Sequence, residues 1–192
     1  MNVTFNKLAV LQKVQKMAAK VIEHTALELQ KAIKLKLNLH NSSLSAGLHS
    51  SPPGSPPGKQ SGALARSIQA VNDTTDANKP RWIVGTKMKY AKILEFGGPI
   101  RPVKSKYLAV PLGEDGYRAS RSVSGNIREL NLTLRVTKTG KLFLGKVTRA
   151  GFKALFILKR SVYLPARPYF RPAIDEQRYV FQQEFRRRGL VK

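Results

Sequence analysis

The chain has 192 residues, 42% of them hydrophobic, and a formal net charge of +24 from 35 Lys and Arg against 11 Asp and Glu. That length suits one domain, and no apolar run approaches the roughly 20 residues that cross a bilayer, so a soluble chain with no membrane partner is expected. The absence of cysteine excludes disulfides, thiolate catalysis and zinc fingers, while the charge calls for something negative nearby, whether nucleic acid or acidic protein.

The opening residues, MNVTFNKLAV, run straight into an amphipathic pattern and predict no secretion signal. Over residues 7–39, apolar side chains recur at Leu8, Leu11, Val14, Ala18, Ile22, Leu29 and Ile33 with lysines between them, which is helical spacing. A helix of about 30 residues spans roughly 45 Å, longer than a compact domain of this size requires, so one end should project or rest on a neighbour. Its stripe reads as a core face backed by solvated lysines, or as a self-association surface. Residues 41–62, NSSLSAGLHSSPPGSPPGKQSG, hold too much Ser, Pro and Gly for helix or strand. They predict an extended loop in which Pro52, Pro53, Pro56 and Pro57 favour stiff polyproline II geometry. An unstructured loop of that length in a compact chain serves function or assembly more often than connection.

Ser61 then offers an N-cap for a short helix in SGALARSIQAV, carrying Leu64 and Ile68 on one side. RWIVGT at 81–86 reads as a strand, and YAKILEF at 90–96 as a short helical or irregular piece stopped by Gly97 and Gly98. YLAVPL at 107–112 predicts a strand that Pro111 assigns to an edge or an end. Glu114 and Asp115, between glycines, read as a turn. The alternation of Leu130, Leu132, Leu134 and Val136 predicts a half-buried strand that turns near Lys138 to Gly140 into a partner. ALFILKRSVYL at 154–164 is a central strand or a short buried helix. PARPYFRPAIDEQ leads into a C-terminal helix with Ile174, Phe181 and Phe185 on one stripe, ending near Arg188 and Gly189. The expected architecture is a single α+β domain over 1–192, mainly antiparallel sheet packed against a long N-terminal helix and a C-terminal helix. Its parts are the helix at 1–40, the loop at 41–62, sheet with short helices and a hairpin insertion at 63–172, and the last helix at 173–192.

Few residues point to chemistry. His24, His40 and His49 have no carboxylate at triad or metal-ligand spacing. Gly54, Gly58, Gly62 and Lys59 mimic a phosphate loop, but only three residues separate the glycines and Gln60 follows the lysine. Asp175 and Glu176 suit the start of a helix, and Glu95 suits a structural ion pair. A non-enzymatic chain with no catalytic residue, metal or cofactor is therefore expected. The basic excess lies in the second half, where sixteen cations between Arg101 and Arg171 face Glu114, Asp115 and Glu129. Arg118, Arg121, Arg128, Arg135, Lys138, Lys141, Lys146 and Arg149 are the candidates for a face toward DNA or an acidic partner. Tyr163, Arg167, Tyr169, Phe170 and Arg171 mix cations with aromatics, a pattern that stacks on bases or anchors protein interfaces. An oligomer or partner interface is expected at Pro52, Pro53, Pro56, Pro57, Lys59, Leu64, Arg167, Tyr169, Phe170 and Arg171. With no sequence-reading motif in view, any DNA contact is expected to be electrostatic.

Four stretches in order carry a resemblance: SPPGSPPGKQSGALARSI at 51–68, RWIVGT at 81–86, YAKILEFGG at 90–98 and PARPYFRPAI at 165–174. Together they resemble the neck and tail-completion proteins of long-tailed phages, also described as head-tail joining or minor tail proteins. The resemblance implies a non-enzymatic virion subunit, assembled in the host cytoplasm into a ring, commonly a hexamer, at the top of the tail. Its implied partners are a tail tube or tail terminator protein and a head-side connector or adaptor, with packaged DNA within electrostatic reach. By position, Tyr90, Glu95, Phe96, Gly97 and Gly98 would shape a junction, and Arg167, Pro168, Phe170, Arg171 and Pro172 would fix the turn into the last helix. Residues 114–128 and the hairpin after them look like an elaboration on smaller members. A small basic protein that binds nucleic acid without sequence preference is the alternative.

Overall fold

A computed structural model describes residues 7–39, 51–59, 61–76, 79–123 and 126–189. In chain order the elements are α1 (Lys7–Leu39), α2 (Ala63–Ser67), β1 (Gln69–Asp73), β2 (Arg81–Gly85), α3 (Ala91–Phe96), β3 (Gly98–Ile100) and β4 (Leu108–Pro111). There follow α4 (Gly113–Ser122), a 3-10 turn (Ile127–Leu130), β5 (Thr133–Val136), β6 (Leu142–Thr148), β7 (Gly151–Lys159), β8 (Val162–Leu164) and α5 (Phe170–Arg187). The architecture is α+β, with a long N-terminal helix, a C-terminal helix and sheets that are antiparallel throughout. The elements group into two units: one holds the described residues up to 39, from 51 to 96 and from 167 onward, the other residues 97–166.

In the first unit the core is built by Ile33 and Leu37 of α1, Ala65 and Ile68, and Tyr169 and Ala173 at the start of α5. Each fully buried aliphatic side chain among them is worth about 1.5–3 kcal/mol of transfer free energy. Leu64, Leu94 and Phe170 pack around this cluster, half-buried. β1 and β2 form a two-stranded ladder with Val71 opposite Ile83. Asp73 ends β1 in an Asx turn by accepting the Thr75 N–H at 3.1 Å, and Arg81 closes the ladder on Asp73 at 2.9 Å. The helix expected in SGALARSIQAV is shorter than its pattern: it stops at Ser67, and Gln69 onward is strand. Ile68 satisfies both, because its buried side chain joins the core while its backbone is already extended.

The second unit holds a four-stranded sheet in the order β4-β7-β6-β5 and the short β3-β8 pair. The run at 154–164 resolves into strand, with β7 inside the sheet and Phe156 fully buried. β4 is an edge strand ending at Pro111, as a residue without an N–H requires. A bulge at Leu144 and Gly145 shifts the β6-β7 register; a Cβ on Gly145 would collide with the Lys153 carbonyl.

Two sequence expectations fail in this unit. Glu114 and Asp115 do not make a turn; they are the first turn of α4, where carboxylates favour the positive end of the helix dipole. Gly116 lets α4 sit directly on the Leu155 carbonyl, leaving no space for a side chain. The alternating leucines at 130–136 do not make one half-buried strand either. Leu130 closes a 3-10 turn, and β5 begins only at Thr133 with all four of its residues exposed. The turn at Thr137 to Gly140 into β6 does form, with Gly140 at φ 75°.

The proline-rich loop lies partly outside the described residues, at 41–50 and at Gln60. Within 51–59 it has no helix or strand and contains one turn: the Ser55 N–H donates to the Pro52 carbonyl, Gly54 takes φ 82°, and Pro57 is buried.

Candidate interaction surfaces

The tightest polar arrangement in the first unit lies where α5 begins. A helix leaves its first four N–H groups without intrahelical partners. Here they belong to Tyr169, Phe170, Arg171 and Pro172, and proline has no N–H to satisfy. Glu95, at the end of α3, takes the other three: its Oε2 accepts from Tyr169 at 2.8 Å and Phe170 at 2.9 Å, and its Oε1 from Arg171 at 2.9 Å. A buried carboxylate thus serves as a complete cap supplied from 74 residues upstream. Around it, the Arg167 N–H donates to the Leu94 carbonyl at 2.7 Å and the Arg167 Nε–H to the Ser51 carbonyl at 2.9 Å. The Arg171 guanidinium stacks over the Phe96 ring at 4.8 Å.

This cap is a role the sequence does not disclose for Glu95, whose setting suggests an ion pair with a cation. It also moves the start of α5 from residue 173 to Phe170, so that Asp175 and Glu176 fall beyond the first turn. A carboxylate within YAKILEF and a YFRP stretch far downstream carry no local spacing signal, which is why pattern reading misses their union.

Burial pushes the Tyr169 hydroxyl up to about 12, with the Glu95 carboxylate and Tyr90 adding to the effect. The unfolded chain then releases this proton first, at an ordinary value of about 10. Stability from Tyr169 is whole below about pH 10 and drains as pH climbs toward about 12. Denaturant titrations between those values should show a steeper fall for the unaltered chain than for Tyr169→Phe; equal slopes would refute the assignment.

Of the expected interface residues, Pro52, Pro53, Lys59 and Arg171 are exposed, Pro56, Leu64 and Phe170 are half-buried, and Pro57, Arg167 and Tyr169 are buried in the first unit. The eight cations of the expected basic face are all exposed and all lie in the second unit. Arg118 and Arg121 ride on α4, with Arg118 paired to Glu114, while Arg128 lies in the 3-10 turn. Lys138 and Lys141 flank the β5-β6 turn and Arg149 follows β6. Arg135, opposite Phe143, lies over the Phe152 ring at 4.9 Å. Strand alternation assigns Lys146 to the other face, beside its cross-strand neighbour Lys153. The cations therefore surround the sheet instead of lining one side of it.

Along α1 the first third, Lys7 to Met17, is exposed throughout, before burial begins at Val21. Leu8 is 69% exposed, Leu11 51% and Val14 45%. At 100° per residue, Leu11, Val14 and Ala18 share one side with the buried Val21, while Lys13, Lys16 and Lys20 occupy the opposite one. An apolar stripe thus continues past the point where the fold covers it.

Among the described residues no group of His, Cys, Asp or Glu is placed to hold a metal ion, and no helix is long and apolar enough to cross a membrane. His40 and His49 lie outside the described residues. A family model described as "Bacteriophage HK97-gp10, putative tail-component" matches residues 2–97 of the chain. The match begins with α1, which the four resembling stretches leave out, and ends where the chain passes into the second unit. No curated protein and no solved structure matches.

Proposed function

The chain belongs to the HK97-gp10-like family of bacteriophage tail components, and from that premise we propose that it is a structural, non-enzymatic subunit of the neck, completing the tail and joining it to the head. In this reading copies of the 1–192 chain form a ring, a hexamer, between a tail tube or terminator protein and a head-side connector, and assemble in the host cytoplasm. The observation that carries it is the uncovered apolar stripe of α1, because Leu8, Leu11 and Val14 are costly to leave in water and are relieved by a neighbour. The exposed turn at Pro52 and Pro53, together with Lys59, Arg171 and the half-buried Pro56, Leu64 and Phe170, is proposed as part of the contact surface. Purified particles analysed by mass spectrometry should contain the chain in a fixed copy number; its absence would end this reading.

A second reading follows from the exposed cations of the second unit, which suit sequence-independent contact with packaged or free nucleic acid. Under it, reversing Arg135, Lys138, Lys141 and Lys146 to glutamate should flatten the fall of duplex affinity with salt, by about one slope unit for each phosphate no longer neutralised. A neck subunit that meets acidic protein there would show little affinity for duplex at physiological salt from the start.

A further inference from the structure

Nine of the eleven carboxylates in the chain are already engaged within it, by a cation, an amide or backbone N–H groups, and among the described residues only Glu23 and Asp175 stand outside such pairings. A second copy therefore has few unpaired carboxylates to bring to a contact, against 35 Lys and Arg. The richer source of negative charge for an unpaired arginine on this surface is a different molecule.

On α5 such arginines frame a groove. Ile174, Phe181 and Phe185 form its apolar floor, with Arg178, Gln182 and Arg186 along it, and its open volume is about 320 Å³. These positions fall on one face of the helix, and Arg178 and Arg186, eight residues apart, are separated by roughly 12 Å along its axis. Neither makes an ion pair among the described residues, whereas their neighbours Arg187 and Arg188 are held by Glu184 at 3.0 and 2.7 Å. An apolar floor has nothing to offer a phosphate backbone, so the surface is shaped for protein. It fits apolar anchors flanked by carboxylates, the pairing in which guanidinium groups form their strongest hydrogen bonds.

We propose that the α5 groove is the docking site for an acidic amphipathic helix of a different protein, its apolar side chains on Ile174, Phe181 and Phe185 and its carboxylates on Arg178 and Arg186. The groove stands on the geometry of α5 alone; that the partner is another virion protein rests on the tail-component reading.

The test uses the full chain and a fluorescent synthetic helix with leucines on one face and glutamates eight residues apart. Anisotropy should show binding, and Arg178→Ala with Arg186→Ala should weaken it at least about tenfold, the effect of removing one charge-assisted hydrogen bond. Ile174→Gln, at the exposed edge of the floor, should weaken it as well, and circular dichroism should show all variants folded. A helix with lysines in place of the glutamates should not bind. The proposal is overturned if the lysine helix binds equally, if the arginine variants bind unchanged, or if duplex DNA displaces the peptide with an affinity that depends on the same two arginines. It is also overturned if light scattering shows that those arginines govern the chain's own oligomeric mass. Presence of the chain in purified particles tests the tail-component reading separately, and neither result decides the other.

Discussion

Glu95→Ala should lower the stability of the first unit by about 3–5 kcal/mol, because it strands three N–H groups at the start of α5 at once, one buried and two part-buried. A hydrogen bond to a charged acceptor is worth about 1.5–3 kcal/mol, and relaxation of the first turn toward water recovers part of the sum. Loss of the carboxylate also removes its favourable interaction with the helix dipole. Glu95→Gln keeps one neutral acceptor oxygen and should cost about half as much. Trp82, the single tryptophan, lies in β2 of the same unit, so its fluorescence in a denaturant series reports this transition. A shift under about 1 kcal/mol for Glu95→Ala would mean that the cap is dispensable.

Phe156→Ala is the corresponding test in the second unit, with an expected cost of about 3–5 kcal/mol. Phe156 is fully buried on β7, opposite Leu144 on one side and Pro111 on the other. α4 lies against β4 and β7, where Gly116 already leaves no space for a Cβ. Removing the ring leaves a cavity that the strand ladder cannot close, and the cost grows with the volume left empty. Hydrogen exchange at the β6 and β7 amides should accelerate by about two orders of magnitude or more, since roughly 1.4 kcal/mol is a factor of ten. Protection of those amides at the level of the unaltered chain would show that Phe156 is not a keystone of the sheet.

The sequence is most legible where a pattern is local and strongly periodic. The long helix is visible in lysines alternating with apolar residues, and its observed span, Lys7–Leu39, matches the expected one. Gly97 and Gly98 mark the end of α3, and Pro111 the strand edge, because glycine with positive φ and proline without an N–H leave few alternatives. Pattern misleads where tertiary contact decides. Leu134 and Val136 alternate like core residues yet stay exposed on the sheet's outermost strand. Glu114 and Asp115 resemble a turn because the glycines on both sides do, and only the approach of α4 to Leu155 shows that Gly116 is there for packing. The prolines at 52–57 suggest stiffness, and pattern does not show that a Pro-Pro-Gly-Ser turn interrupts them. Of the candidate surfaces, the apolar stripe of α1 and the cations of 118–149 are visible in the sequence. The Glu95 cap and the floor of the α5 groove emerge only in three dimensions, although Ile174, Phe181 and Phe185 already fall on one stripe.

The cap has a consequence for the order in which the chain becomes native. Glu95 leaves the ribosome long before the three amides it must hold, and all of residues 97–166 are made in between. Those intervening residues hold local antiparallel hairpins, β5-β6 and β6-β7, whose contacts close over short stretches of chain. The first unit, by contrast, lacks Tyr169 and Ala173 in its core until the residues after the second unit have been made. Until then the core around Ile33, Leu37, Ala65 and Ile68 lacks the side chains that α5 brings to it, and the first unit closes after the second has been made.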